Sequence, residues 1–405
     1  MGNLLSALLL QAGYNAALVA VGSALLGFAA GASGTFLFLR KRALVSDAVA
    51  HATLPGVGLA FIVMVALGGD GRSLLGLLAG SAVTAGIGLL LVEWIARRTR
   101  LSEDAAIGAV LSVFFGVGIV LLTVIQTVSA GRQAGLEGFL LGSTAGMLFQ
   151  DAVVIAVGGT LAVLATYLLR RPMTLVAFDP EYAAASGYDV RRIDLAMMGL
   201  VMAVTVIGLK LVGLILIVAM LIVPPVTARF WTERAGRVVW IAGALGGVAG
   251  YLGAAISASA PALPTGPIIV LVAAGLFLLS LFLAPARGVA AALLRHRRFQ
   301  RRVHRRQGLL ALARSEQILE PYTIRVLRAE GLVRPDGVAT EAGRAQAAKV
   351  ARDERRWDIA REVHQDAGLT GRYDGLTPIE EVFTADEIEA FDSRLGGPRP
   401  VGGLA

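Results

Sequence analysis

No cysteine occurs among the 405 residues, which excludes disulfides, zinc ribbons, iron–sulfur clusters and thiolate chemistry together. Any metal must therefore be met by carboxylate, imidazole, carbonyl or water. Charge is scarce as well. Only 16% of residues are charged and 56% are hydrophobic, with a mean hydropathy of +0.71, where a soluble chain has about a quarter charged and just under half apolar. Apolar runs of this length and number place most of the chain in lipid. A G-x-x-x-x-G-K-S/T phosphate loop is missing too, so ATP-powered work would need a nucleotide site on another subunit. Met1 is not followed by a basic segment, a short apolar core and an Ala-x-Ala site, so no cleaved signal peptide is expected.

What is present divides near Pro285. Before it, apolar segments of spanning length alternate with short loops; after it, charges crowd in and no long apolar run remains. The expected organisation is a transmembrane domain over 1–286 and a cytoplasmic domain over 287–405. Candidate spans run near 15–39, 52–69, 73–96, 105–128, 151–170, 193–209, 211–227, 237–258 and 266–284, each close to the roughly 20 residues a span needs. The stretch Ile193 to Val226 is too long for one perpendicular helix and carries Lys210, so the chain is expected to turn near Lys210 and Gly213, a single kinked helix being the alternative. Lys210 itself reads as a side chain reaching for an interface. Gly135 to Phe149 reads as interfacial or re-entrant. With nine spans the basic loops, Arg40-Lys41-Arg42, Arg97-Arg98, Arg170-Arg171, Arg191-Arg192 and Arg229 to Arg237, fall on the side of the Arg-rich run after Arg287. Basic loops mark the cytoplasmic face, which puts the N-terminus outside and the C-terminus inside; with eight spans one cluster would face the wrong way.

Ionisable residues inside a membrane domain are few, and such residues are functional candidates. The sharpest pair is Asp47 and His51, four apart and so on one face of a helix. A carboxylate with a neutral imidazole suits manganese, zinc or ferrous iron. Pro55 cannot donate to the His51 carbonyl, which leaves that oxygen for a polar cavity. The competing reading pairs Asp47 with the Arg40-Lys41-Arg42 cluster and gives His51 a helix–helix hydrogen bond. Glu93, one turn before Arg97, reads as a local ion pair. Gly31-Ala32-Ser33-Gly34 has the G-x-S-G form of an intramembrane serine nucleophile, but small residues are routine where transmembrane helices pack closely. Between two spans, Asp179, Pro180, Glu181, Ala184 and Gly187 mark a short capped helix, with Asp at the cap, Pro at the first position, Glu in the first turn and Gly as terminator. Such a helix serves as a connector or as a knob for docking a partner.

The run Arg40 to Phe61, with Ser46-Asp47-Ala48-Val49-Ala50-His51-Ala52-Thr53-Leu54-Pro55-Gly56 at its centre, closely resembles the signature of ABC-3 family permeases. Phe178 to Gly187 looks like that family's ATPase-coupling helix. Gly208 to Gly213, Leu221 to Arg229 and Gly138 to Ser143 are similar to its later and central segments. The departure is Val45-Ser46, where many relatives have Gly before the Asp. The resemblance implies a permease subunit of an ATP-driven importer of manganese, zinc or iron. It implies Asp47 and His51 along the metal path and no permanently bound cofactor. Its partners would be a cytoplasmic ABC ATPase, an extracytoplasmic metal-binding protein and a second permease subunit, alike or paralogous. The chain would be a multi-pass protein of the bacterial plasma membrane and not an enzyme. Permeases for chelated metal, and a membrane-anchored metal-responsive regulator, are the rival readings; the Asp/His pair argues against the first and the number of spans against the second.

From Arg287 to Arg306 there are eight arginines and no acid. Just inside a membrane, Arg297, Arg298, Arg301 and Arg302 are expected to meet anionic lipid headgroups, at about 1 kcal/mol per basic residue. Nucleic acid, the other polyanion such a run attracts, is not expected as a partner. Beyond, helices near 305–314 and 321–330, a turn at Arg334-Pro335-Asp336-Gly337 and a long helix to about His364 give a winged-helix-like order. Thr340 to Gly368 and Phe383 to Pro398 resemble parts of DtxR-type metal-dependent repressors, with a shortened DNA-reading part and only His304 and His364 as histidine ligands. A stabilising or dimerising module is the first reading, metal-sensing feedback the second. The fold class expected is an all-α polytopic membrane protein of eight or nine transmembrane helices with a small, α-rich, winged-helix-like cytoplasmic domain.

Overall fold

A computed structural model describes residues 2–69, 71, 73–127, 147–260, 263–363 and 375–396. The expected segment Gly135 to Phe149 lies almost wholly outside the described residues, as do Gly138 to Ser143 and His364 and the side chain of Lys210. The chain divides into two compact units, Met1–Ala291 and Ala292–Ala405, and each is described by itself.

Among its described residues the first unit is built of helices joined by short turns. A short α1 (Gly2–Leu8) precedes α2 (Tyr14–Leu39), α3 (Leu44–Ala66), α4 (Leu74–Arg98), α5 (Glu103–Thr127), α6 (Phe149–Phe178) and the six-residue α7 (Pro180–Ala185). Then come α8 (Val190–Leu209) and α9 (Val212–Arg229), followed by α10 (Ala235–Ala258) and α11 (Thr265–Leu283). Among the described residues nine of these, all but α1 and α7, are long and apolar enough to cross a membrane. That matches the nine spans expected.

The division between α8 and α9 rests on one residue. Gly213 has φ 76 and ψ 170, a backbone region only glycine occupies without strain. A Cβ on Gly208 would lie 2.6 Å from Ile217 Cδ1, yet along one straight helix nine residues span about 13.5 Å. The chain therefore doubles back here, and Leu209 and Leu214 on either side of the turn pack with Ala50, Leu54 and Val57 of α3.

α2 is the central post. Val19, Leu26, Ala30, Phe36 and Leu37 are buried in the main core, with Met197, Val201 and Val204 of α8 and Ile217 and Leu221 of α9. α5 and α11 lie at the periphery, with much apolar surface outward, including Val113, Val120, Leu271 and Leu279. Such outward apolar surface is what lipid replaces water around.

The second unit begins within the first turn of α12 (Val289–Ala313) and continues with α13 (Pro321–Ala329), α14 (Glu341–Val363), a 3-10 turn at Ile379–Glu381 and α15 (Ala385–Leu395). The helix expected near 305–314 is thus the end of one continuous helix that also carries the arginine run. Between α13 and α14 the chain makes a single antiparallel bridge, Val333 to Ala339, closed by Arg334 N donating to Val338 O at 2.9 Å. Among the described residues no longer strand pairing occurs. Two small cores hold the unit: Leu309, Leu327, Leu332, Val333 and Ala347, and Trp357, Ala360, Ile379, Phe383 and Phe391.

Candidate metal path and docking helix

α3 begins at Leu44, earlier than the apolar run alone suggests, so Asp47 and His51 both stand in regular helix. Four residues advance a helix by just over one turn, which brings Asp47 Oδ1 within 3.3 Å of His51 Nε2. Both side chains are partly open, at 36% and 19% exposure. His51 Nδ1 is buried and finds no hydrogen-bonding partner, and the ring stands edge-on to Phe115 of α5, with centroids 5.0 Å apart. The helix continues through Pro55, which lies against α5 where Gly118 leaves room. One carboxylate oxygen and one imidazole nitrogen thus converge on a common face. Among the described residues no group of three or more His, Asp or Glu side chains is placed to hold a metal.

The two arginines of the alternative pairing for Asp47 are occupied elsewhere. Arg40 donates Nε to Asp194 Oδ1 at 3.2 Å and Nη2 to Oδ2 at 3.3 Å. Arg42 meets Asp194 Oδ2 at 3.2 Å and Glu103 Oε1 at 2.8 Å. Asp194, in the second turn of α8, is only 2% exposed. This network was not read from the sequence, although an acid at the head of an apolar segment is a signal of the same kind as Asp47. Glu93 pairs with Arg97, as expected. Ser33 shares a 3.3 Å hydrogen bond with Thr166 of α6, while a Cβ on Gly31 or Gly34 would run into the carbonyl oxygens of Ala242 and Leu221. The G-x-S-G run is a site of close helix packing.

Between α6 and α8, Asp179 Oδ1 accepts from Tyr182 N at 2.9 Å and so caps α7, with Pro180 at its first position. Gly187, at φ +86, reverses the chain after it. Only Ala183 of α7 is buried; Glu181, Tyr182 and Ala184 are exposed, and Phe178 and Tyr182 present 59% and 61% of their surface.

In the second unit the four arginines singled out separate. Arg301 is bound to Glu330 at 3.0 Å, an acid it shares with Arg305 at 2.6 Å. Arg298 and Arg302 are exposed and line a cleft of about 720 Å³ with Arg301, Arg305, Phe299 and Glu330. Arg297 is exposed but does not line it. His304 Nδ1 lies 2.8 Å from Thr323 Oγ1, so that imidazole is already engaged.

Residues 14–284, the part of the chain holding the Asp47/His51 pair and α7, match the ABC 3 transport family. The chain belongs to this family. It is 43% identical over 294 residues to the manganese transport system membrane protein MntC of Bacillus subtilis, covering 73% of this chain and 66% of that protein. It is 36% identical over 280 residues to the zinc transport system membrane protein TroC of Treponema pallidum, covering 69% and 92%. Among solved structures, PsaBC from Streptococcus pneumoniae in complex with Fab superposes with a TM-score of 0.58 at 30% identity, over 66% of this chain and 91% of that one. The chain is a polytopic permease subunit of the ABC-importer type, and the relatives it matches are membrane proteins of transport systems rather than enzymes.

Proposed function

We propose that this chain forms the path of an ATP-driven importer of a divalent transition-metal ion, with Asp47 and His51 as the residues that hand the ion across. The observation that carries the reading is the 3.3 Å approach of the Asp47 carboxylate to the His51 imidazole on one face of α3, inside the family match. One oxygen and one nitrogen donor suit manganese or zinc, the metals in the relatives' names, and ferrous iron by the same chemistry. Such ions take four to six donors, so a lone pair is an incomplete shell. A second permease subunit, alike or paralogous, would bring a second pair, with water completing the set.

The exposed, capped α7, through Asp179, Pro180, Glu181, Ala184 and Gly187, docks a cytoplasmic ABC ATPase. An extracytoplasmic metal-binding protein delivers the ion on the opposite face. The basic loops support a multi-pass protein of the bacterial plasma membrane, N-terminus outside and C-terminus in the cytoplasm. There Arg298 and Arg302, with Arg297 beside them, face anionic lipid, and the C-terminal unit serves as a stabilising or dimerising module. Its helix, helix, bridge, helix order is what supports the likeness to the DtxR-type repressors.

The test is cellular manganese, zinc and iron in metal-starved cells carrying the intact gene, Asp47→Ala or His51→Ala, with membrane abundance measured in parallel. Losing one donor of a two-donor set should lower accumulation of the cargo metal at least about tenfold. Normal accumulation of all three metals in both variants would refute the path.

A further inference from the structure

Asp194 stands where the docking helix and the metal-carrying helix come closest to a shared part. From α7 the chain runs through Gly187 to Asp189, whose Oδ1 accepts from Arg192 N at 3.1 Å and caps α8. Tyr188 N donates back to Ala183 O at 3.0 Å, which folds the linker to α8 back onto the last turn of α7. Five residues into α8 comes Asp194, whose two oxygens accept from Arg40 and whose Oδ2 also forms a 3.2 Å ion pair with Arg42, both from the turn between α2 and α3. Two residues after Arg42, α3 begins, and its first turns carry Asp47 and His51. Arg42 also reaches Glu103 at the start of α5, the helix that sets Phe115 against His51.

The turn has one defined shape. Lys41, between the two arginines, has φ 61, the left-handed residue just past the end of α2, where Arg42 N donates back to Leu37 O at 2.8 Å. Both guanidiniums are largely covered, at 18% and 19% exposure, and Asp194 is almost wholly so. Buried charges of this kind are tolerated only with their partners in place, so the ion pairs fix one arrangement of the turn rather than a range of them. Surface charges marking a membrane face would need none of this.

We propose that Asp194 is a positioning residue that ties the α2–α3 turn to the head of α8, so that displacement of α7 is transmitted to Asp47 and His51. This rests on the reading of α7 as the ATPase dock and of the Asp/His pair as the metal path. The carboxylate acts through Arg40 and Arg42 and does not itself touch the ion.

The experiment uses the permease in liposomes with its ATPase subunit, recording radiolabelled manganese or zinc uptake and phosphate release from the same vesicles. Asp194→Asn keeps the shape and removes the charge. Metal moved per ATP should fall about tenfold, while ATPase co-purification and hydrolysis stay within about twofold of the parent. Asp194→Glu should recover at least about half of the ratio. A parental ratio in Asp194→Asn overturns the proposal. So does a parallel loss of hydrolysis and uptake, which would mark a docking or folding role, or a Glu variant no better than Asn. Should Asp194→Asn not reach the membrane, Arg40→Lys, which keeps the charge and loses the two-point contact, takes its place with the same criteria. Asp47→Ala in the same vesicles separates the two layers: full uptake there sinks the metal-path reading, whereas a dead Asp47→Ala beside a parental Asp194→Asn removes the coupling role alone.

Discussion

Replacing Gly213 by Ala probes the turn that makes two spans out of one long apolar segment. The residue stands at φ 76 and ψ 170, and a side chain held in that region costs on the order of 1–3 kcal/mol. For a unit of this size such a loss lowers Tm by about 2–5 °C. The effect should also reach transport, because Leu209 and Leu214 flank the turn and pack on Ala50, Leu54 and Val57, the residues on either side of His51. Gly275→Ala supplies the matched control. It lies within α11, its Cβ would meet nothing within 4 Å, and Ala in a helix is favoured over Gly by about 0.5–1 kcal/mol. The two substitutions add the same methyl group and should move stability in opposite directions. The assay is thermal unfolding of the purified permease in detergent, with metal uptake in liposomes. Equal Tm values for Gly213→Ala and Gly275→Ala would refute the left-handed turn, and with it the count of nine spans.

The apolar periodicity made the membrane unit legible because lipid leaves a helix few options: every backbone group must be satisfied within the segment. Caps were legible for a similar reason, since Asp179-Pro180 and Gly187 act over one turn of chain. Gly213 announced the turn because its neighbours were too many for a single span. Contacts between distant positions were another matter. Arg40 and Arg42 look like loop charges, and nothing near them in sequence shows that Asp194, 154 residues from Arg40, will take up both. Likewise the arginine run after Arg287 is uniformly basic in sequence, yet Glu330 takes up Arg301 and Arg305 and Glu354 takes up Arg306. The side of α12 that faces α13 was invisible until both helices were placed. The span expected at 52–69 starts later than α3 because apolar content set that boundary, although the Asp47–His51 spacing already placed those two residues in helix.

On the proposed path, the Asp47–His51 pair fits movement of an ion better than storage. A tightly held ion requires a closed shell of donors with their own supporting hydrogen bonds. Here Asp47 and His51 are partly open and the imidazole Nδ1 has no partner, so neither donor is locked. Conduction requires binding favourable enough to admit the ion and weak enough to release it. A shell completed only when subunits come together, and broken when they part, meets both requirements. On the proposed coupling, the Asp194 network would hold the helix of this weakly organised pair in register at the moment the ion arrives.

Two further expectations concern the C-terminal unit. Arg298→Gln with Arg302→Gln removes two exposed charges worth together about 2 kcal/mol of headgroup attraction. Hydrogen exchange of α12 should then lose its difference between phosphatidylglycerol and phosphatidylcholine nanodiscs, and an unchanged difference would exclude this cleft as the lipid contact. The second tests how α15 is held to α14. Arg356 donates Nε to Asp392 Oδ1 at 2.7 Å and a second guanidinium nitrogen to Oδ2, and it also meets Asp353 at 3.0 Å. The hydrogen bond from Arg356, with its charge, holds the Asp392 carboxyl below the usual range, and the same contact raises Arg356. A carboxyl with a lowered folded pKa contributes stability that is complete above its ordinary value of 3.8 and is lost as pH falls through the lowered one. Asp392 is 39% exposed, so solvent screening limits the contribution to about 1 kcal/mol. Asp392→Asn should therefore loosen α15 in the full chain by about fivefold in hydrogen-exchange protection, equally at pH 7 and pH 5. The gap between the two proteins should narrow only in acid stronger than the ordinary aspartate range. A gap that closed between pH 7 and pH 5 would mean that a histidine, and not the Arg356–Asp392 pair, governs the docking of α15.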